Sequence, residues 1–394
     1  MKNILIHGNN ITGLNYLLQT KNLKGKIDLV YIDPPFATGG NFTITDGRAT
    51  TISNSKNGNI AYSDTLKGKD FIDFLKERLI LLKELLSEQG SIYLHIDYKI
   101  GHYVKVMMDE VFGIENFKND ITRVKCNPKN FDRIGYGNMK DLILFYTKTT
   151  TPIWNEPREK YSEKDFEKLF PKKDKQGRRF TTVPIHAPGE TENGKSSQPF
   201  KGILPPKGRH WRVDVDTLEQ WDKDGLIEWS STGNPRKIIY ADEREGKRVQ
   251  DIWEYKDPQY PTYPTEKNPD LLDLIIKTSS KEDSIVLDCF CGSGTTLKSA
   301  QTNNRKWIGI DQSEHAIKAT REKLESAEED LFIAKPDYEF IELTETMPSY
   351  QQRLNASRQE VLNPNEVNQI NIVAKWQVCA LNCLPAFTLI RQTV

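Results

Sequence analysis

The sequence predicts an α/β protein built on a doubly wound, mostly parallel sheet. Three observations predict it. Short apolar runs alternate with amphipathic helical stretches near both ends of the chain. Two of these runs stop abruptly at a proline or glycine motif, as strands do at the carboxyl edge of such sheets, where ligands bind. Between the two alternating blocks lies a stretch rich in Pro, Gly, Trp and charge, which reads as an inserted domain.

The first block runs from Met1 to about Thr150. Asn3 to His7 (NILIH) reads as a strand, Thr12 to Gln19 as a short helix, and Ile27 to Ile32 (IDLVYI) as a strand ended by Asp33-Pro34-Pro35-Phe36. A polar stretch then extends to about Gly68, long enough to be a mobile loop over a site. Lys69 to Glu88 carries apolar residues at helical spacing. Ser91 to Asp97 reads as a strand, His102 to Phe112 as a helix and Asp141 to Thr147 as a strand. In the second block, Asn268 caps a helix from Pro269 to Ser279, with proline at the favoured first position. Ser284 to Asp288 (SIVLD) is a strand, followed by a glycine turn and a helix to about Thr302. Lys306 to Asp311 is a strand and Ser313 to Glu325 a helix.

A chain of 394 residues predicts two or three domains. At 37% hydrophobic and 28% charged residues it has the make-up of a soluble globular protein. No run approaches the length of a membrane helix, and MKNILIHGNN turns polar too early for a secretory segment. Five cysteines, an odd count, argue against a disulfide framework and for a reducing cytoplasm. The net charge is zero, yet residues 171–212 hold ten Lys/Arg against three Asp/Glu, a local excess suited to a phosphate-facing surface.

Two motifs carry chemistry. In the first, CGSGTT lies between a strand and a helix, and Gly292 and Gly294 let a ligand approach the strand end and helix N-terminus. Asp311 ends the next strand, where a carboxylate can accept hydrogen bonds from ribose hydroxyls. Nicotinamide, flavin and adenosylmethionine binders share this arrangement; Leu297, where a dinucleotide fingerprint has its third glycine, disfavours NAD. In the second, Asp33-Pro34-Pro35-Phe36, two prolines remove two N–H donors and leave rigid carbonyl acceptors. A carboxylate and a carbonyl together can grip both hydrogens of an exocyclic amine, while Phe36 offers a face to a flat base. Cys289 and Cys291 lack a second pair of ligands and read as packing residues, so no metal is expected. His95 and Asp97 read as structural neighbours of the site, and Tyr62 and Asp64 as loop residues able to close over it.

Together, IDLVYIDPPF and VLDCFCGSGTT resemble the catalytic and cofactor motifs of amino-group DNA methyltransferases that use S-adenosylmethionine. The catalytic motif comes first, as in the β, circularly permuted, class. The resemblance extends over residues 61–97, 135–148 and 263–276, and includes the modification subunits of type III restriction systems. It implies a Rossmann-like methyltransferase sheet, with residues 1–150 as the catalytic half and 263–345 as the cofactor half. Residues 151–262 would form a target-recognition domain, and 346–394 a tail without an assigned role.

By this resemblance Asp33, Pro34, Pro35 and Phe36 form the catalytic pocket. Asp288, Phe290, Gly292 and Gly294 line the cofactor and Asp311 binds its ribose. Thr265 and Lys267 lie near the cofactor's carboxylate, although Asn268 intervenes before the proline that often follows the lysine. Asn9 stands where the family has an aspartate near the adenine. Arg209, Arg212, Arg236 and Lys237 are candidate DNA contacts. The implied reaction is adenine-N6 methylation of duplex DNA by base flipping, with cytosine-N4 methylation or a catalytically silent DNA-binding subunit as alternatives. A homodimer and a restriction-subunit partner remain open, and no membrane is involved. Attack on cytosine C5 is disfavoured because the chain has no Pro-Cys dipeptide.

Overall fold

The computed structural model describes residues 1–34, 68–128, 132, 134–191, 194–258, 266–325 and 337–343, and the backbone of 41–45, 48–50 and 59–63. The chain forms two compact units. One contains Met1–Ile153 and the described residues from Glu254 onward; the other is Trp154–Trp253.

The first unit follows the alternation read from the sequence. Its elements are β1 (Asn3–His7), α1 (Asn10–Gln19), β2 (Ile27–Ile32), α2 (Lys69–Leu85), β3 (Leu86–Ile96), α3 (Tyr98–Phe112), β4 (Phe117–Val124) and β5 (Lys140–Thr147). After the second unit come α4 (Pro269–Ser279), β6 (Ile285–Asp288), α5 (Thr295–Thr302), β7 (Lys306–Asp311), α6 (Glu314–Glu325) and β8 (Tyr338–Glu342). These strands pair in the order β4-β5-β3-β2-β6-β7-β1-β8. Pairing is parallel from β3 through β8, whereas β5 runs antiparallel to both β3 and β4.

Both faces of the sheet are covered, which is why its strands read as unbroken apolar runs. Ile4, Ile6, Val30, Ile32, Leu94 and Ile96 are buried in one core with Leu14 and Leu17 of α1 and Leu75, Leu79 and Leu82 of α2. The alternate residues Leu5, Leu29, Tyr31, Tyr93 and Val286 are equally buried. Helices α1, α2 and α3 pack side by side, as do α4, α5 and α6. Asn268 caps α4 as expected, its side chain accepting from the Asp270 N–H at 2.9 Å.

Two local expectations change. Helix α2 stops at Leu85 rather than Glu88, because Leu86 turns extended and pairs with Ile27. The stretch expected to be a loop contains antiparallel backbone strands at Asn41–Thr45, Arg48–Thr50 and Asn59–Ser63; their β-branched residues favour that state. Thr265, Pro35, Phe36, Asp64 and the 346–394 tail lie outside the described residues, as does the side chain of Tyr62.

The second unit is mostly antiparallel. Lys172–Lys173, Arg179–Pro184, Pro235–Tyr240 and Ile227–Trp229 make one sheet, and His186–Pro188 pairs with Arg209–Trp211. A small core of Ile185, Phe200, Trp211 and Leu218 holds the helix Val215–Lys223 against them. No helix among the described residues is long and apolar enough to cross a membrane.

Candidate active site

Strands β2 and β6 are neighbours, yet the chain leaves them in opposite directions, β2 toward β3 and β6 toward β7. Such a switch point opens a crevice at the strands' carboxyl ends. Val286 pairs with Leu29 and Leu287 with Val30. Asp33 and Phe290 therefore each lie three residues beyond that last pair, and the two sequence motifs emerge side by side.

On the β2 side, Pro34 is buried and Asp33 partly so. One Asp33 oxygen, Oδ2, lies 2.6 Å from Lys267 Nζ. The other, Oδ1, is buried and has no hydrogen-bond partner among the described residues. A buried acceptor without a donor costs about 1–3 kcal/mol, which makes this oxygen a candidate acceptor for a ligand N–H.

On the β6 side, Asp288 organises the turn. Its Oδ1 accepts from the Phe290 N–H at 3.0 Å and its Oδ2 from the Thr296 hydroxyl at 2.6 Å. Asp311 does the same from β7, accepting from Gly292 N–H and Ser313 N–H, each at 2.9 Å. Gly294 needs to be glycine twice over. Its φ is +74°, and a Cβ there would lie 2.7 Å from Thr320 Cγ2 on α6. Asn9 caps α1, its Oδ1 accepting from the Ile11 N–H at 2.9 Å, at the carboxyl end of β1.

Burial pushes the Asp288 carboxyl up to about 7, the charges of Asp33 and Asp311 add to the rise, and the two hydrogen bonds oppose it. Burial raises Asp311 as well. Carboxylates crowded in this way hold a proton more tightly than exposed ones. The folded protein thus holds a proton on Asp288 more tightly than the unfolded chain, whose ordinary value is 3.8. Its contribution to stability is complete below about pH 4 and lost as the pH rises through about 7, amounting to at most ~4 kcal/mol. Asp288→Asn is expected to flatten the difference in urea midpoint between pH 5 and pH 7.5; an unchanged difference assigns it to other groups.

Beneath Asp33 lies a polar network that the sequence did not reveal. The Tyr31 hydroxyl is 2.9 Å from His95 Nδ1, and His95 Nε2 is 3.4 Å from Asp141 Oδ2. Burial holds His95 below its ordinary value, so the imidazole is neutral; these contacts are met when Tyr31 donates to Nδ1 and Nε2–H faces Asp141. Burial would push the Asp141 carboxyl up, but hydrogen bonds from His95 and Lys125 reverse that and hold it well below the usual range. Arg123, fully buried, lies 3.5 Å from the same carboxylate. Asp97 caps α3, accepting from the Lys99 N–H at 2.9 Å.

Arg78 was also missed, although a charged residue on the buried stripe of α2 is itself a signal. Its guanidinium sits 3.3 Å from the Phe74 ring centroid, and Phe74 packs against Phe290 at 6.2 Å. Nε donates to Asn10 Oδ1 at 2.6 Å, and burial pushes the group down to about 10. Through Phe74 the pair packs against the ring of Phe290. Cys289 and Cys291 are buried, and burial raises both thiols. Among the described residues, no three His, Cys, Asp or Glu are grouped to hold a metal.

In the second unit, three of the four candidate DNA contacts converge. Arg209 Nη1 is 3.2 Å from His186 Nδ1. Burial holds His186 below its ordinary value, and the charges of Arg209, Arg212 and Arg236 lower it further. Arg236 is braced by Thr182, its Nε donating to the hydroxyl at 2.9 Å and Nη2 to the carbonyl at 2.6 Å. Lys237 stands apart, with Nζ 3.4 Å from the Trp221 ring centroid, and burial lowers it.

Comparison with known proteins places these motifs. Residues 27–322 match the N6/N4 family model described as DNA methylase. The type II methyltransferase M.EcaI of Enterobacter cloacae is 39% identical over 82% of this chain and 69% of its own length. The StyLTI Mod subunit, a type III restriction-modification enzyme of Salmonella typhimurium, is 25% identical over 77% of this chain. The EcoPI Mod subunit of Escherichia phage P1 is 25% identical over 78%. The chain spans about half the length of these two Mod subunits, 50% and 56% respectively. With Asp33 and the glycine turn intact at one switch point and the family model matched across both, the chain belongs to the N6/N4 DNA methylase family.

Proposed function

We propose that this protein is a site-specific DNA methyltransferase that transfers a methyl group from S-adenosylmethionine to N6 of adenine in duplex DNA. The observation that carries the reading is the buried Oδ1 of Asp33, without a partner among the described residues and one residue from the Pro34 carbonyl. An exocyclic amine has two N–H donors, and those two acceptors match them. The amino nitrogen is a poor nucleophile while its lone pair is conjugated with the ring. Hydrogen bonds to Asp33 and the Pro34 carbonyl draw it toward sp³ geometry and free the lone pair.

When bound, S-adenosylmethionine supplies an electrophilic methyl group on a sulfonium. The residues present fit it: Gly292 and Gly294 keep the turn clear of side chains, and Asp311 offers acceptors at the β7 end. Phe290, packed against Phe74, and Asn9 at the end of β1 complete the proposed cofactor side. Lys267 is the cation nearest the substrate-facing carboxylate. The target base has to leave the helix to reach Asp33, at a cost of a few kcal/mol. Most of the acceleration then comes from holding amine and methyl in line.

The second unit is proposed to read the DNA. The convergence of Arg209, Arg212 and Arg236 suits a phosphate backbone, so affinity for duplex DNA is expected to fall steeply with salt. Arg209→Ala with Arg212→Ala is expected to flatten the log Kd against log [salt] slope by about 1–2, measured by anisotropy. A slope unchanged by the double substitution removes these residues from the interface.

The test of the main reading is incubation with tritiated S-adenosylmethionine and unmethylated duplex DNA, followed by digestion to nucleosides. Label in N6-methyladenine supports it. Label in N4-methylcytosine keeps the pocket and moves the substrate, and absence of label with donor bound points to a silent DNA-binding subunit.

A further inference from the structure

Two consecutive residues, Glu266 and Lys267, precede the Asn268 cap of α4 and reach toward opposite halves of the site. Lys267 Nζ lies 2.6 Å from Asp33 Oδ2, with the two side chains 9% and 15% exposed. Glu266 is ion-paired to Lys323 of α6. The same Lys323 Nζ donates to Ser293 Oγ at 3.0 Å and to Thr295 Oγ1 at 2.9 Å, within the glycine turn and at the first residue of α5. One residue therefore ties to the end of β2 and its neighbour ties, through Lys323, to the turn after β6. Consecutive Cα atoms are only ~3.8 Å apart, so the two attachments move as one.

Stability alone gives little reason for this arrangement. Partly desolvated ion pairs contribute little net free energy over apolar packing of the same volume. What they do supply is fixed orientation. With Oδ2 held by Lys267, the rotation of the Asp33 carboxylate is fixed, and with it the direction of Oδ1. With Ser293 and Thr295 held by Lys323, the turn that cradles the methyl donor keeps its path. Methyl transfer needs the two reactants in line, and a displacement of about 1 Å can cost ~100-fold in rate.

We propose that Glu266 and Lys267 form a brace that registers the catalytic carboxylate against the donor-binding turn, both acting as positioning residues. The proposal rests on the methyltransferase reading above. It assigns the two neighbours separable kinetic signatures, which a merely structural pair would not have.

The test measures the dissociation constant for S-adenosylmethionine by calorimetry and the single-turnover rate on duplex DNA at saturating donor. Lys267→Met is expected to lower the rate by about 100-fold with a smaller change in donor affinity, and Lys267→Arg to recover most of it. Glu266→Gln is expected to weaken donor binding about 10-fold with a smaller change in rate, and Lys323→Met to reproduce that pattern. Thermal midpoints monitor folding, and the conservative Lys267→Arg and Glu266→Gln variants keep the comparison open if a methionine variant fails to fold. The brace is overturned if Lys267→Met weakens donor binding while sparing the rate, if both residues move the same parameter, or if neither moves either. A wild-type protein that binds donor and DNA but transfers no methyl group overturns the methyltransferase reading itself, and the brace with it.

Discussion

Asp33→Ala is expected to abolish methyl transfer, lowering the single-turnover rate at least ~1000-fold while donor affinity stays within a few-fold. The expectation follows from how its two oxygens are used. Oδ2 is engaged by Lys267 and Oδ1 is buried without a partner among the described residues, so on the proposed reading Oδ1 is the oxygen offered to the amine. Alanine deletes that acceptor and leaves the Pro34 carbonyl to hold the amine alone, with the lone pair still conjugated. Asp33→Asn separates shape from chemistry. It keeps the volume, but the amide presents either a donor to the substrate N–H or a donor to Lys267, and both are repulsive. Rapid-quench measurement with labelled donor, beside calorimetry of donor binding, reads the two effects independently. Full activity in either variant would remove Asp33 from the pocket.

The largest expected effect on stability lies deeper. Arg123→Met is expected to cost about 3–5 kcal/mol, read as a lowered urea midpoint. The guanidinium is fully buried, and its Nε and Nη2 are both hydrogen-bonded. Nε donates to the Tyr255 carbonyl at 2.8 Å, Nη2 pairs with Asp257, and Nη1 lies 3.5 Å from Asp141. Removing it takes a donor from the Tyr255 carbonyl and, among the described residues, leaves Asp141 to His95 and Lys125. It also loosens the segment on which the chain rejoins the sheet after the second unit. Arg123→Lys keeps the charge but cannot span three partners, so an intermediate loss is expected. A loss below about 1 kcal/mol in the methionine variant would show that the network rearranges around the gap.

Much of the first unit was legible because its strands are buried on both faces. IDLVYI, SIYLHID and DLILFYT announce themselves without alternation. By contrast FKNDITRV, which is β4, mixes charge with every apolar position, and YEFIE, which is β8, carries two glutamates at the margin of the sheet. The second unit was opaque for a related reason. Its strands are two to six residues long and closed by a four-residue core, too short for a period to show.

The site divides the same way. Asp33 and the glycine turn sit in contiguous motifs whose spacing carries their chemistry. Tyr31, His95, Asp141 and Arg123 come from separate elements, and their partnership exists only once β2, β3, β4 and β5 are side by side. Lys267 was singled out, but its pairing with Asp33 spans most of the chain and leaves no local trace. Arg78 was readable in principle, since Phe71, Leu75, Leu79 and Leu82 define its helix face as buried.

The adjacency of β2 and β6 has a consequence for synthesis. The partner that closes the inner side of β2 begins at Ile285, about 250 residues after β2 ends. At ~5–20 residues per second, a ribosome needs roughly 13–50 s to deliver it. Throughout that interval the apolar ribbon IDLVYI has one row of backbone donors and acceptors without its native neighbour, and β1 waits equally for β7. An exposed edge of this kind is what invites pairing with the wrong chain. The nascent N-terminal portion therefore presents open strand edges until the carboxyl-terminal strands arrive to insert between its own.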